Sequence, residues 1–177
     1  MNIFYIDQNP KKCAQHMVDK HVVKMILETA QLLSTAHRLL DGKMVVVKSH
    51  KGRNVKRWIL DNELNDKIYQ ATHINHPSTV WTRERSGNYK WLYEHFLGLL
   101  EEYTYRYEKK HKCEELVKWL EKTPKNMPLC IFAPPYPAMD NKYIISKDSL
   151  TNYRNYYKNG KTHLYSWKNR EPPKWLQ

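Results

Sequence analysis

Apolar residues recur every three or four positions from about Lys11 to Leu40, a period that predicts a long amphipathic helix. Val22, Met25, Ile26, Thr29, Leu32, Leu33, Ala36 and Leu40 form its inward stripe. Asn9-Pro10 supplies an N-cap and a first-turn proline, and Asp41-Gly42 a stop. Ahead of it, Asn2 to Ile6 reads as a short strand or an extended arm. The helical period returns from Asn88 to about Glu121, through Trp91, Leu92, His95, Phe96, Leu99 and Leu100, with an interruption around Lys109 to Cys113.

Between and after these helices the pattern breaks up. Residues 43–57 form a basic loop or hairpin insertion, with Met44 to Val47 as one strand and a turn near Lys51-Gly52. Trp58 to Gln70 reads as a shorter helix, and His73 to Pro77 as irregular, because a residue before proline avoids helical backbone. Ser78 is expected to cap a helix carrying Trp81, Arg83 and Arg85, broken at Gly87. Thr123 to Pro137 holds five prolines and must be loop, yet Leu129, Cys130, Ile131 and Phe132 make it too apolar to hang free. A packed loop is therefore expected over 123–145. A last helix starts at Ser146 or Ser149 and closes at Asn159-Gly160, leaving a tail, 161–177, rich in aromatic and basic residues. The expected fold class is all-α or mainly α: a single compact helical domain over 1–177, with long loops and at most one small β-hairpin.

Charge changes the picture. Lys and Arg number 30 against 18 Asp and Glu, a net +12. A folded chain with that excess attracts polyanions, and nucleic acid gains further because each neutralised phosphate releases counterions. Tyr (13) and Trp (6) far outnumber Phe (3), which favours rings that both stack and hydrogen-bond. Cys13, Cys113 and Cys130 are odd in number and widely spaced, which argues for reduced thiols. No run is apolar enough for a signal peptide or a membrane span, so the expected location is cytoplasmic, with no membrane partner.

Candidate chemistry centres on the first long helix. His21, Lys24, Glu28, Gln31 and Thr35 share its polar face, and Glu28 lies where that face meets the apolar stripe. A carboxylate at such a border is partly desolvated, which suits acid–base work, with Lys24 one turn and His21 two turns before it. The plainer reading is a solvated face with an ordinary Lys–Glu pair. His16 and His21 are poorly spaced for a metal, and His73 and His76 lack a neighbouring carboxylate or thiol, so neither metal nor cofactor is expected. Walker, GxGxxG and GxSxG motifs are absent. Candidate nucleic-acid contacts are Gln31, Lys51, Arg53, Arg57, His76, Arg83, Arg85, Tyr89, Tyr156, Tyr157 and Lys161.

Three stretches carry a family likeness: Asp19-Lys20-His21 with Glu28 seven positions after the His; Asn75-His76-Pro77 leading to Glu101-Glu102-Tyr103 and Arg106; and Tyr156-Tyr157-Lys158. In these the chain resembles the phage-type pyrimidine-dimer DNA glycosylases, the small, basic, helical ultraviolet endonucleases. The resemblance implies that Glu28 is the acid/base or oxocarbenium-stabilising carboxylate. It departs from the family at two places. The family nucleophile is the N-terminal amine of a small residue exposed by removal of Met, whereas Asn2 follows Met1 here; and two family arginines fall on Leu27 and Gln31. Without an attacking amine, water activated by Glu28 or a neutral Lys24 takes its place. The expected function is cleavage of the N-glycosidic bond of a damaged or modified base in duplex DNA with a distorted or flipped base. The alternatives are a non-enzymatic nucleic-acid-binding protein, or an enzyme acting on free nucleotides or modified bases.

Overall fold

In the computed structural model, which describes residues 1–177, the N-terminal arm enters the core before any helix begins. Ile3, Phe4, Tyr5 and Ile6 are all buried, and the arm is irregular, without pairing as a strand. Helix α1 (Pro10–His16) follows, capped by the Asn9 side chain on the Lys12 N–H, and then α2 (Asp19–Asp41). The single helix expected from Lys11 onward is thus two. Met17 and Val18 are extended. The cause is tertiary: the Met17 carbonyl accepts from Arg106 Nη1 at 2.9 Å, and the Asp19 N–H donates to the Ser166 carbonyl at 2.9 Å.

Strands β1 (Lys43–Lys48) and β2 (Asn54–Ile59) pair antiparallel, and Gly52 supplies the positive φ of 72° in the turn between them. Trp58 therefore belongs to a strand, and only α3 (Leu64–Lys67) of the helix expected over 58–70 forms. Cross-strand pairing overrides the weak local helical pattern there. Fully buried Arg38 ties this region to α2 by donating to the carbonyls of Trp58, Asn65, Ile68 and Tyr69 and to Asn65 Oδ1.

Helix α4 (Pro77–Glu84) is capped by His76 rather than Ser78, and the chain turns at Arg85 into α5 (Ser86–Tyr107). Gly87 begins that helix instead of breaking an earlier one. A Cβ on it would lie 2.3 Å from the Phe132 nitrogen, so glycine lets the proline-rich loop pack against the helix start. There the Ser86 and Gly87 N–H groups donate to the carbonyls of Pro128 and Cys130. Phe132 packs inward among Tyr5, Trp81 and Trp91, while Leu129 and Ile131 point out. Left-handed Glu108 ends α5, and a 3-10 turn (Lys112–Leu116) and α6 (Val117–Leu120) replace the rest of the expected helix. Helix α7 (Ser149–Gly160) is capped by Asp148. The molecule is mainly α, with seven α-helices and one hairpin around a shared apolar core. No helix is long and apolar enough to cross a membrane.

Candidate active site

The buried stripe of α2 packs on α4 and α5, while Val23, Lys24 and Leu27 on its other side are exposed. Glu28 sits at the junction, with its side chain 14% exposed. Its two oxygens are held differently. Oε2 accepts the Asn2 backbone N–H at 3.0 Å and lies 3.8 Å from the Met1 α-ammonium. Oε1 lies 3.3 Å from Lys24 Nζ, one turn back on a side chain that is 67% exposed. The carboxylate also lines a groove of about 540 Å³ between Val23, Lys24, Leu27 and Gln31 on α2 and Tyr69, His111, Lys112 and Cys113 opposite.

The first residues are built to stay at Glu28. Asn2 Oδ1 accepts the N–H groups of Ile3 and Phe4 at 2.7 and 3.2 Å, and its Nδ2 donates to the Ala138 carbonyl at 2.7 Å. This closes a tight turn in which Phe4 has φ 54°, a left-handed conformation that costs a non-glycine residue about 1 kcal/mol or more. The Met1 side chain is buried, and its sulfur accepts from Thr79 Oγ1 on α4 at 3.6 Å. The terminal amine is thereby fixed from three sides.

His21 lies behind this surface. It is buried, stacked on Phe4 at 4.1 Å and 2.6 Å from the Tyr157 hydroxyl. Burial, helped by the charges of Lys161, Lys24 and His163, pushes its pKa down to about 3. It is therefore a neutral support of the arm, and the catalytic position expected for it from helical spacing is corrected by that burial. His76 stays near the surface, with Nδ1 accepting the Ser78 N–H. Burial, the N-terminal ammonium and His73 lower its pKa while Glu28 raises it, which places it in electrostatic reach of the same cluster. Beside Phe4, Tyr156 stacks at 6.0 Å under Lys161, whose Nζ lies 4.7 Å from the ring centre.

The other candidates scatter. Tyr89 and Tyr157 are fully buried and cannot touch nucleic acid. The Tyr89 hydroxyl donates to the Leu120 carbonyl and meets His37, and Tyr157 meets His21. A mix of aromatic and basic residues in sequence does not say which rings are core. Arg83 braces the turn before α4 by donating to the Ile74 carbonyl, and Arg85 occupies the bend before α5. Lys51 and Arg53 are exposed at the hairpin tip, and Arg57 lies on β2. Sequence reasoning missed Tyr69, His111, Lys112 and Cys113, the far wall of the groove, and the side chain of Asn2. None of these shares an element with Glu28, so no spacing points to them. No group of three or more His, Cys, Asp or Glu side chains could hold a metal ion.

The family model for pyrimidine dimer DNA glycosylases matches residues 1–115. That stretch includes the arm, Glu28, the hairpin, His76 and the far wall of the groove, whereas Tyr156 and Lys161 lie beyond it. Neither the curated proteins nor the solved structures yield a match. A match over so much of the chain settles the kinship: this chain belongs to the pyrimidine dimer DNA glycosylase family.

Proposed function

We propose that this member of the pyrimidine dimer DNA glycosylases cleaves the N-glycosidic bond of a damaged base in duplex DNA, with Glu28 as the carboxylate at the reacting sugar. One observation carries the reading: a largely desolvated carboxylate at the edge of a groove holds the α-amine of the chain at 3.8 Å and a backbone N–H at 3.0 Å. Breaking the bond develops positive charge on the sugar, and a fixed carboxylate lowers that barrier. The amine, once its proton has passed to Glu28 or to water, attacks C1′ through its lone pair. The C1′–N bond to the base breaks, and the base leaves with the electron pair and takes up a proton. Loss of Met1 would put the new α-amine where the Asn2 N–H now lies, against the same oxygen. Either form of the chain thus offers an amine to Glu28. Gln31 and Lys24 on the groove wall, His76, and Lys161 with Tyr156 are the side chains we assign to the DNA around the opened nucleotide.

The test is ultraviolet-irradiated duplex DNA incubated with the chain, followed by measurement of abasic sites and by borohydride reduction. Abasic product with a protein–DNA adduct trapped by the hydride supports the amine route. Abasic product without an adduct assigns the attack to water. Bound DNA with no product from any modified substrate would sink the enzyme reading, and mass spectrometry of the N-terminus identifies the amine used.

A further inference from the structure

Outside the groove, the least explained element is the hairpin. Its register sets Met44 opposite Trp58, Val46 opposite Lys56 and Lys48 opposite Asn54, so these six side chains share one face. On that face Met44, Val46, Lys48, Asn54 and Lys56 are exposed, and on the other so are Lys43, Val47 and Ile59. The ribbon meets the body mainly where β2 crosses α2, and buried Arg38 holds its base by the Trp58 carbonyl at 2.8 Å.

Its charge is as lopsided as its packing. Lys43, Lys48, Lys51, Arg53, Lys56 and Arg57 fall between Gly42 and Leu60, where there is no Asp or Glu. Arg38 and Arg106 elsewhere are buried and saturated with acceptors. The one acceptor of the Arg57 guanidinium is its neighbour's carbonyl, at 3.4 Å. Six like charges on a ribbon with bare apolar positions repel one another and do nothing for folding. They fit a polyanion with a groove.

We propose that the hairpin is a second DNA-binding element, which enters the major groove of intact duplex beside the damaged site. Met44 and Val46 face the base edges, and Lys48, Lys51, Arg53 and Lys56 reach the flanking phosphates. The proposal rests on the reading of the chain as acting on DNA, but not on the chemistry at Glu28. The major groove, about 12 Å wide, admits a two-stranded ribbon. Lysines and aliphatic side chains make phosphate and methyl contacts with little base discrimination, which suits an anchor that must hold any sequence. The base of the hairpin lies about 20 Å along α2 from Glu28, at ~1.5 Å per residue, and its tip projects further. The ribbon therefore grips duplex away from the opened nucleotide rather than at it.

The experiment compares two full-length variants that lose equal charge. One carries Lys48→Gln, Lys51→Gln, Arg53→Gln and Lys56→Gln. The other carries Lys109→Gln, Lys118→Gln, Lys122→Gln and Lys125→Gln, all at exposed positions. Each is titrated over a range of salt against undamaged duplex and single strand of about thirty nucleotides, long enough for several phosphate contacts. The hairpin variant is expected to lose at least about tenfold in duplex affinity, and its slope of log K on log salt to fall by roughly 3 to 4, at ~0.9 per phosphate contact. The control is expected to lose less than about threefold. Methylation of guanine N7, scanned position by position along the duplex beside a defined lesion, should weaken the parent within one major-groove segment and leave the hairpin variant unaffected there. Equal losses in the two variants, or a loss as large on single strand as on duplex, defeat the proposal. Undamaged duplex has no base to release, so a missing glycosylase activity leaves this result standing. Normal base release with an unaltered hairpin-variant affinity sinks the hairpin alone.

Discussion

Glu102 and Glu28 are both largely hidden from water and held by cations, and only one of them has the makings of a site. Glu102 on α5 has a side chain 3% exposed. Its Oε1 accepts from Arg106 Nε at 2.8 Å and from Arg170 Nε at 2.9 Å, and its Oε2 from Arg170 Nη2 at 3.0 Å. Arg106 is itself saturated by Asp19 and by the carbonyls of Met17 and Gln15. Both donors are permanently charged guanidiniums that do not give up a proton, and the recess beside them holds only about 130 Å³. Glu28 holds an amine that can lose a proton, a backbone N–H, and a lysine that can swing away, and it borders a groove. Desolvation and ion pairing are common to both. What separates them is whether the partners are chemically usable and whether a substrate has room.

Breaking each cluster should damage a different property. Arg106→Met leaves Glu102 with Arg170 alone, removes the one cation paired with Asp19, and strips the carbonyls of Met17 and Gln15 of their donor. Loss of one partner from a buried ion network costs about 3–5 kcal/mol. Thermal or denaturant unfolding should show that loss, and a shift below about 1 kcal/mol would mean that the network contributes little net stability. Glu28→Gln should do the reverse. It keeps the shape and an acceptor for the Asn2 N–H but removes the charge, so the melting midpoint should barely move. Abasic-site formation on irradiated duplex should fall by about 10²–10³-fold, the size seen when one charge-stabilising group is removed. Unchanged turnover in this variant would demote Glu28 to a twin of Glu102.

A smaller effect tests how the amine is kept in place. Asn2→Leu, with a side chain too large to prompt removal of Met1, takes away the caps on the Ile3 and Phe4 N–H groups and the bond to Ala138. Losing such bonds costs ~1–2 kcal/mol, and a loosened arm should lower both turnover and borohydride trapping by about tenfold. Asn2→Asp keeps the acceptor and should recover part of both. A merely structural role would change stability without changing the trapped fraction.

The comparison also shows what the sequence could reveal. The stripe of α2 was legible because Val22, Met25, Ile26, Thr29, Leu32, Leu33 and Ala36 repeat with the helical period and all are buried. The same period put Glu28 at the border. The hairpin turn was legible from Gly52, which does take a positive φ. The break between α1 and α2 was not, because it depends on Arg106, 89 positions beyond Met17. The contact of Asn2 with Glu28 spans 26 positions between an irregular arm and a helix, and no periodicity links them. Tyr89 and Tyr157 misled for a related reason: composition gives a ring its chemistry but not its neighbours.

The smallest effect concerns His21, the buried group behind Phe4 that spacing placed in the catalytic set. Burial first, then the charges of Lys161, Lys24 and His163, depresses its pKa from 6.5 to about 3. The unfolded chain therefore binds a proton between those values that the folded chain refuses, so stability rises with pH across the window. The contribution is complete above pH 6.5 and fades as the pH falls toward 3, by about 1.4 kcal/mol for each unit. His37 and His95, also buried and each lowered to about 4, act in the same direction. His21→Asn keeps a polar atom near Nδ1 for the Tyr157 hydroxyl and cannot titrate. Unfolding measured from pH 7 to 4.5 should then show close to one proton fewer taken up than in the parent, while the acid limb of the activity profile keeps its midpoint. If that midpoint moves instead, His21 exchanges protons with the reacting groups, and the line drawn between buried support and working carboxylate has to be moved inward past it.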